Sequence, residues 1–177
     1  MSRGAIPYAK DMTKLFLLQR DIDTRVQSIR ESHPDWLCEK ACDSCCRRLA
    51  AVPRLSTAEW SLLQEGLAAL LPEQLAEIGQ KMTALSCQQS GPVTCPLLDL
   101  STGACLVYAQ RPVACRTYGF YVQRDKGLYC HEIESRVADG ALADVVWGNH
   151  DVIDQRLSEQ GENRALTAWF ACRERGK

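Results

Sequence analysis

Residues 38–46 read CEKACDSCC, and this stretch decides how the middle of the chain folds. Its four cysteines are separated by three, two and no residues. Such close spacing lets several sulfurs turn toward one point, as a tetrahedral ion or a cubane cluster requires. A second, more widely spaced group consists of Cys95, Cys105, Cys115 and Cys130. The two groups together predict a metal site built from cysteine thiolates.

The adjacent pair Cys45 and Cys46 leaves the arrangement of this site open. Neighbouring side chains in a helix or strand point in different directions, so we do not expect both to bind one ion in the same way. Either one ligates while the other packs, or the pair serves two neighbouring metal positions. Eight thiolates can fill two four-coordinate sites or share fewer ions by bridging. All-sulfur sites suit both zinc and iron–sulfur clusters, including a [4Fe–4S] cluster.

Ten cysteines in 177 residues also bear on the compartment. Cysteines at this density in a reducing compartment usually bind metal or do redox chemistry, whereas a disulfide framework requires secretion. The N-terminal region carries Lys10, Lys14 and Arg20, which is atypical of a signal peptide. The longest unbroken apolar runs are residues 15–18 and 67–71, whereas a spanning helix needs roughly 20 apolar residues. We therefore expect a cytoplasmic protein with no membrane partner.

The composition is that of an ordinary globular protein, with 46% apolar and 24% charged residues and a net charge of −1. The length suits one domain with its own core, so we expect residues 1–177 to form a single domain. Acidic and basic residues are interspersed and build no basic face, so we expect no nucleic-acid partner.

Helical periodicity dominates the first half of the chain. Apolar residues at three- and four-residue steps predict a helix over 11–32. Ser56 and Glu59 form a capping box at the start of a second helix, and Pro72 suits the first turn of a third.

The second half of the chain is predicted to contain a hairpin and further helices. Two short apolar runs in 96–109 surround a Ser-Thr-Gly turn and predict a β-hairpin. Asp139 predicts the cap of a fourth helix, and 163–173 a terminal helix, so we expect flanking helices over 139–175. The predicted fold class is mainly α: a single helical domain with an inserted cysteine-rich loop and a short β-hairpin that forms a metal site at about 38–131.

Arginines accompany both groups of cysteines. Four thiolates around one divalent ion leave a net charge of −2, which guanidinium groups offset by hydrogen bonds to sulfur. We expect Arg111 and Arg116, which flank Cys115, to contact the bound cofactor in this way. For Arg47 and Arg48 this role and an ordinary surface position are equally favoured.

The chain contains, in this order, Cys38-x3-Cys42-x2-Cys45-Cys46, Cys95-Pro96, Cys105-Leu106-Val107-Tyr108, Arg111-Pro112-x2-Cys115-Arg116 and Cys130. This order resembles the YkgJ-type cysteine-cluster (CxxxCxxCC) proteins, whose shared region is described as a zinc- or iron-chelating domain. The resemblance runs from Cys38 to about His131, roughly half the chain. Many members have a first loop of the form Cys-Gly-x-Cys-Cys, whereas this chain has Asp43 in the place of that glycine.

The resemblance implies zinc or iron as the cofactor and eight cysteines as the metal ligands: Cys38, Cys42, Cys45, Cys46, Cys95, Cys105, Cys115 and Cys130. Cys87 and Cys172 fall outside the pattern and are expected to pack or to remain thiols.

Three functions compete on this evidence. The first is a metal- or cluster-binding protein without catalysis of its own, whose partner is the metal ion and, in addition, an unidentified protein. The second is a zinc-stapled structural or interaction module, in which the metal supports folding. The third is a metal- or iron–sulfur-dependent enzyme subunit. Catalytic metal sites keep an open position beside acid–base groups, and the sequence offers no compact histidine–carboxylate set, so we rank the enzyme last.

Overall fold

The computed structural model describes residues 7–88 and 91–175, which are mainly α-helical. The helices are α1 (Pro7–Ser32), α2 (Ser44–Arg47), α3 (Thr57–Ala68), α4 (Pro72–Cys87), α5 (Val113–Thr117), α6 (His131–Ala138), α7 (His150–Ser158) and α8 (Leu166–Arg175). The strands are β1 (Arg54–Ser56), β2 (Tyr121–Gln123), β3 (Lys126–Leu128), β4 (Gly148–Asn149) and β5 (Asn163–Ala165). A 3-10 turn covers Tyr108–Gln110.

The helices predicted in the first half are confirmed. The buried face of α1 carries the expected apolar residues Leu15, Leu18, Ile22, Val26 and Ile29. Helix α3 begins with the predicted capping box, because the Ser56 side chain accepts from the Glu59 amide and Glu59 accepts from the Ser56 amide. Helix α4 begins at Pro72, whose missing N–H costs nothing in the first turn.

The β-hairpin predicted over 96–109 is not formed as two strands. A single antiparallel bridge joins Leu98 and Cys105, and the chain reverses at Gly103, which has a φ of +69°. The apolar runs on both sides are buried in the core, with Leu97 and Leu98 on one side and Val107 on the other. Backbone hydrogen bonds of 2.9 Å from the Asp99 amide to the Ala104 carbonyl and from the Leu106 amide to the Leu97 carbonyl complete the reversal. The predicted antiparallel turn is therefore present, whereas the two regular strands are not.

The helix predicted to begin at Asp139 is also wrong. Asp139 instead ends α6, and Gly140 follows with a φ of +75°, so the chain leaves the helix there. Helix α7 begins later, where the Asn149 side chain accepts from the Asp151 amide. Val146, in the segment between the two helices, is 68% exposed.

The terminal helix begins at Leu166, three residues later than predicted, because Asn163–Ala165 pairs with β1 instead. That pairing is antiparallel, with Arg54 opposite Ala165. A second sheet has the order β3-β2-β4, in which β2 pairs antiparallel with β3 and parallel with β4.

Two clusters of buried side chains form the core. The first core cluster is built on α1 and includes Trp36, Phe120 and Ile133. The second core cluster is built on α3, α4 and α8 and includes Leu63, Ile78 and Leu98. Within the described ranges, no helix is long and apolar enough to cross a membrane.

Candidate metal centre

The first cysteine loop ends in a single helical turn. Cys45 and Cys46 both lie in α2, and their sulfurs are 3.9 Å apart. The loop turns before α2 at Ala41, which has a φ of +72°. Asp43 has an ordinary φ of −113°, so the backbone does not require glycine at that position. Asp43 also accepts from Arg47 at 2.6 Å.

Backbone pairing brings the distant Cys95 to this loop. The Cys95 amide donates to the Cys46 carbonyl at 2.7 Å. Beside it, Leu49 and Val93 exchange two backbone hydrogen bonds of 2.8 and 2.9 Å. These hydrogen bonds fix the register between the segment at Cys46 and the segment at Cys95, which are far apart in the chain. The spacing of the cysteines in the sequence does not reveal this pairing.

A buried glutamate positions the helix that carries Cys115. One Glu59 carboxylate oxygen accepts from the amide and hydroxyl of Ser56, and the other accepts from the Val113 amide at 2.9 Å. Val113 is the first residue of α5, so Glu59 joins the start of α3 to the start of α5. The Glu59 carboxylate, which caps α3, therefore also fixes the position of α5 and of its Cys115.

One cavity, of about 200 Å³, has four cysteines in its wall: Cys38, Cys42, Cys45 and Cys130. Gly119 forms part of the same wall and lets the backbone approach a thiol closely. A Cβ at Gly119, whose φ is +90°, would lie 2.9 Å from Cys38 Sγ.

A second cavity, of about 70 Å³, adjoins the first. Seven of the eight motif cysteines line it: Cys38, Cys42, Cys45, Cys46, Cys95, Cys105 and Cys115. Cys130 lines only the first cavity. The eight predicted ligands thus surround two neighbouring spaces, although five separate parts of the chain supply them: the first loop and the positions of Cys95, Cys105, Cys115 and Cys130.

The chemistry of this donor set fits zinc or iron. Soft thiolates select these metals, and zinc–sulfur bonds of about 2.3 Å put tetrahedral sulfurs about 3.8 Å apart. The Cys45–Cys46 separation of 3.9 Å is close to that value. Among residues 7–88 and 91–175, however, no three His, Cys, Asp or Glu side chains stand in metal-holding positions as they are. Binding therefore requires the thiols to move inward.

Burial favours the protonated thiol at Cys38 and Cys115 in the metal-free protein. Loss of solvent raises the pKa of Cys38 to about 12, with further contributions from Cys42, Cys45 and Cys130. Burial likewise raises the pKa of Cys115, with contributions from Cys46, Cys105 and Cys45. A cation that binds here must displace protons, so metal binding and thiol ionisation are coupled.

Two arginines, Arg30 and Arg111, line the second cavity, and each has a buried Nε without a hydrogen-bond partner among the described residues. The Arg111 guanidinium lies 3.9 Å from the centroid of the Tyr108 ring, and Arg30 donates to the Cys38 carbonyl at 2.8 Å. Sequence analysis missed Arg30; its only signal is its position four residues after Val26, at the edge of the buried face of α1.

Arg116 and Arg47 are engaged with other groups. Each of the three side-chain nitrogens of Arg116 donates elsewhere: Nε to the Arg111 carbonyl, Nη1 to Asp23 and Nη2 to the Ala109 carbonyl. Arg116 nevertheless lines the second cavity. Arg47 pairs with Asp43, and its neighbour Arg48 is exposed.

The remaining cysteines and the histidines lie apart from the two cavities. Cys87 is exposed at the end of α4. Cys172, on α8, accepts a hydrogen bond from Arg164 of β5. His131, beside Cys130, has a side chain that is 87% exposed. His33 and His150 also line neither cavity.

Comparison with known proteins supports the assignment that the motifs suggested. The model of the CxxCxxCC family, described as "Putative zinc- or iron-chelating domain", matches residues 37–136, more than half of the chain. No curated protein and no solved structure matches the chain significantly. The matched range contains all eight motif cysteines, which confirms the resemblance noted in the sequence. This chain belongs to the CxxCxxCC family of zinc- or iron-chelating domains.

Proposed function

We propose that this protein binds zinc or iron, the iron as an iron–sulfur cluster, through the thiolates of the eight motif cysteines. The observation that carries the proposal is that all eight line two adjoining cavities, although they come from separate parts of the chain. Full sulfur coordination leaves no open position for substrate, so the proposed role is to hold a metal or cluster without catalysis by this chain. The reduced thiols this requires suit the cytoplasm.

Arg111 supports the charge balance of the proposed centre. Its guanidinium packs on Tyr108, which holds it in place, and its Nε has no other partner among the described residues. A thiolate or a cluster sulfide is the acceptor that this nitrogen lacks. Arg116 has a positioning role in this proposal, since it donates to the Arg111 carbonyl.

Metal content and visible absorption of protein purified without oxygen test the proposal. Iron with acid-labile sulfide in a coloured sample identifies an iron–sulfur protein, and zinc in a colourless sample identifies a zinc protein. Cys45→Ser and Cys115→Ser should each lower the bound metal per chain, whereas Cys87→Ser and Cys172→Ser should leave it unchanged. Equal loss in all four variants, or wild-type protein without either metal, would contradict the ligand assignment.

A structural staple is the second candidate, and the position of the cysteines favours it. Cys38 and Cys130 pack against the first core cluster, whereas Cys46 and Cys105 pack against the second. A metal bound between them therefore ties the two clusters together. Circular dichroism before and after chelation under reducing conditions separates the candidates. Loss of most helical signal indicates a staple, and retained helix indicates a protein that folds independently of its metal.

A further inference from the structure

The eight cysteines differ in which cavity and which part of the core they contact. Cys130 lines only the first cavity, where the other cysteines are Cys38, Cys42 and Cys45. Those three line the second cavity as well, but they are the only thiols that share a cavity wall with Cys130 among the described residues. The thiols of Cys42, Cys45 and Cys130 all raise the pKa of Cys38, whereas the pKa of Cys45 is raised mainly by its neighbour Cys46. We call these four the first thiol set.

The remaining four cysteines line only the second cavity: Cys46, Cys95, Cys105 and Cys115. The Cys95 amide is bonded to the Cys46 carbonyl at 2.7 Å, which keeps these two residues together. The charges that raise the pKa of Cys115 come first from Cys46 and Cys105, with Cys45 contributing less. We call these four the second thiol set.

The core packing divides the cysteines in the same way. Cys38 and Cys130, from the first thiol set, pack against the first core cluster. Cys95 belongs to the second core cluster, and Cys46 and Cys105, from the same thiol set, pack against it. The cysteines that line one cavity only and also contact a core cluster divide in the same way: Cys130 lies with the first cluster, and Cys46, Cys95 and Cys105 with the second.

Two arginines lie beside the thiols, and both line the second cavity. The Arg30 guanidinium donates to the Cys38 carbonyl, and its charge favours the Cys38 thiolate. Arg111 favours the thiolates of Cys105 and Cys115 in the same way. Four thiolates around one divalent ion carry a charge of −2, so two separate centres each need a cation nearby.

We propose, resting on the proposed function, that the protein holds two separate four-thiolate centres, one in each thiol set, that meet at the Cys45–Cys46 pair. Neighbouring residues of one helical turn then serve different centres. The 3.9 Å between their sulfurs would also suit two ligands of one ion. Both residues line the second cavity, but only Cys45 also shares a wall with Cys130, so we assign Cys45 to the first thiol set and Cys46 to the second.

Paired cysteine variants of the full chain test the division, with zinc and iron per chain as the readout. Cys130→Ser and Cys95→Ser should each remove about half of the bound metal. The same-set double variant Cys38→Ser/Cys130→Ser should lose no more than Cys130→Ser alone. The cross-set double variant Cys95→Ser/Cys130→Ser should lose nearly all. Cys87→Ser is the matched control and should retain the full amount.

Other patterns overturn the division without overturning metal binding. Loss of nearly all metal in each single variant, with helical signal retained, indicates one shared centre. Additional loss in the same-set double variant, beyond that of the single variant, contradicts the proposed membership. Wild-type protein that contains neither zinc nor iron instead contradicts the proposed function itself, so the two failures are distinguishable.

A measurement on the wild-type protein keeps the test valid where a variant fails to fold. Metal is withdrawn stepwise with a chelator, and native mass spectrometry follows the half-loaded protein while its released thiols are alkylated. Thiols that are alkylated in the untreated protein are first subtracted. In the half-loaded species, the additional alkylated cysteines should then all belong to one thiol set. Modifications drawn from both sets, or loss of all metal in one step, would overturn the proposal.

Discussion

At the scale of single residues, Gly119 controls how closely the backbone approaches a candidate ligand. Its φ of +90° is unfavourable for other residues, and a Cβ would lie 2.9 Å from Cys38 Sγ. We expect Gly119→Ala to lower the free energy of unfolding by about 1–2 kcal/mol through backbone strain and, in addition, to lower the bound metal by displacing the thiol. Chemical denaturation and metal analysis measure the two effects.

Gly140 provides the matched control for that substitution. It has a similar φ of +75°, but a Cβ there would meet no atom within 4 Å. Gly140→Ala should therefore lose similar stability and keep its metal. Equal metal content in the two variants would show that the approach of Gly119 to Cys38 does not matter for binding.

Arg111 carries a second prediction at the same scale. Arg111→Met preserves much of the apolar contact with Tyr108 and removes the charge beside the thiols. We expect metal affinity to fall about tenfold, since removal of groups around metal ligands typically costs 10- to 100-fold. A competition titration with a chromophoric chelator measures it. Arg48→Met, at an exposed arginine next to the first loop, should leave the affinity unchanged; an equal decrease would point to net charge alone.

At the scale of elements, Glu59 connects two helices through one buried carboxylate. It receives three hydrogen bonds, two from Ser56 and one from Val113 at the start of α5. We expect Glu59→Ala to lower the free energy of unfolding by about 2–4 kcal/mol, because it removes the cap and leaves buried N–H groups unpaired. Urea denaturation measures the change.

The same substitution should also lower the bound metal, because α5 carries Cys115. Glu65→Ala, at an exposed position of α3, should change stability by less than about 0.5 kcal/mol and leave the metal unchanged. A Glu59→Ala variant with normal metal content would show that the position of α5 does not depend on this carboxylate.

Elements also differ in how well the sequence predicts them. The helices α1, α3 and α4 are predicted because each buries a continuous apolar face and two of them begin with a recognisable cap. Over 96–109 the predicted antiparallel reversal forms without regular strands. The helix predicted at Asp139 is wrong, because the chain leaves the preceding helix there at Gly140. Apolar runs of a few residues do not distinguish a strand from an irregular buried segment.

At the scale of the whole molecule, the cysteines lie where two core clusters meet, and their burial makes the stability of the metal-free protein depend on pH. Burial raises the pKa of Cys38 from the ordinary 9.0 to about 12 and also raises that of Cys105 and Cys115. At a pH between about 9 and about 12, the Cys38 thiol is ionised in the unfolded chain and still protonated in the folded chain. The unfolded state then binds fewer protons, so the free energy of unfolding falls as the pH rises above about 9.

We expect each such thiol to reduce the stability by on the order of 1 kcal/mol per pH unit in this range. Urea denaturation of reduced, metal-free protein at pH about 8 and about 10 measures the loss. Cys38→Ser should show a smaller decrease than the wild type, because it lacks one of the buried thiols. Constant or rising stability across this range would contradict the prediction.

The sequence by itself determined the helical character of the chain, its family and its candidate ligands, because these depend on local periodicity, on caps and on the spacing and order of cysteines. Only the tertiary structure revealed how Cys95, Cys115 and Cys130 join the first loop, and that Arg30 and Gly119 border the same cavities. Those contacts depend on backbone hydrogen bonds and core packing between residues far apart in the chain, such as Cys95 to Cys46 and Val113 to Glu59. No local pattern encodes such pairings, so only the three-dimensional structure shows that the thiols line two adjoining cavities.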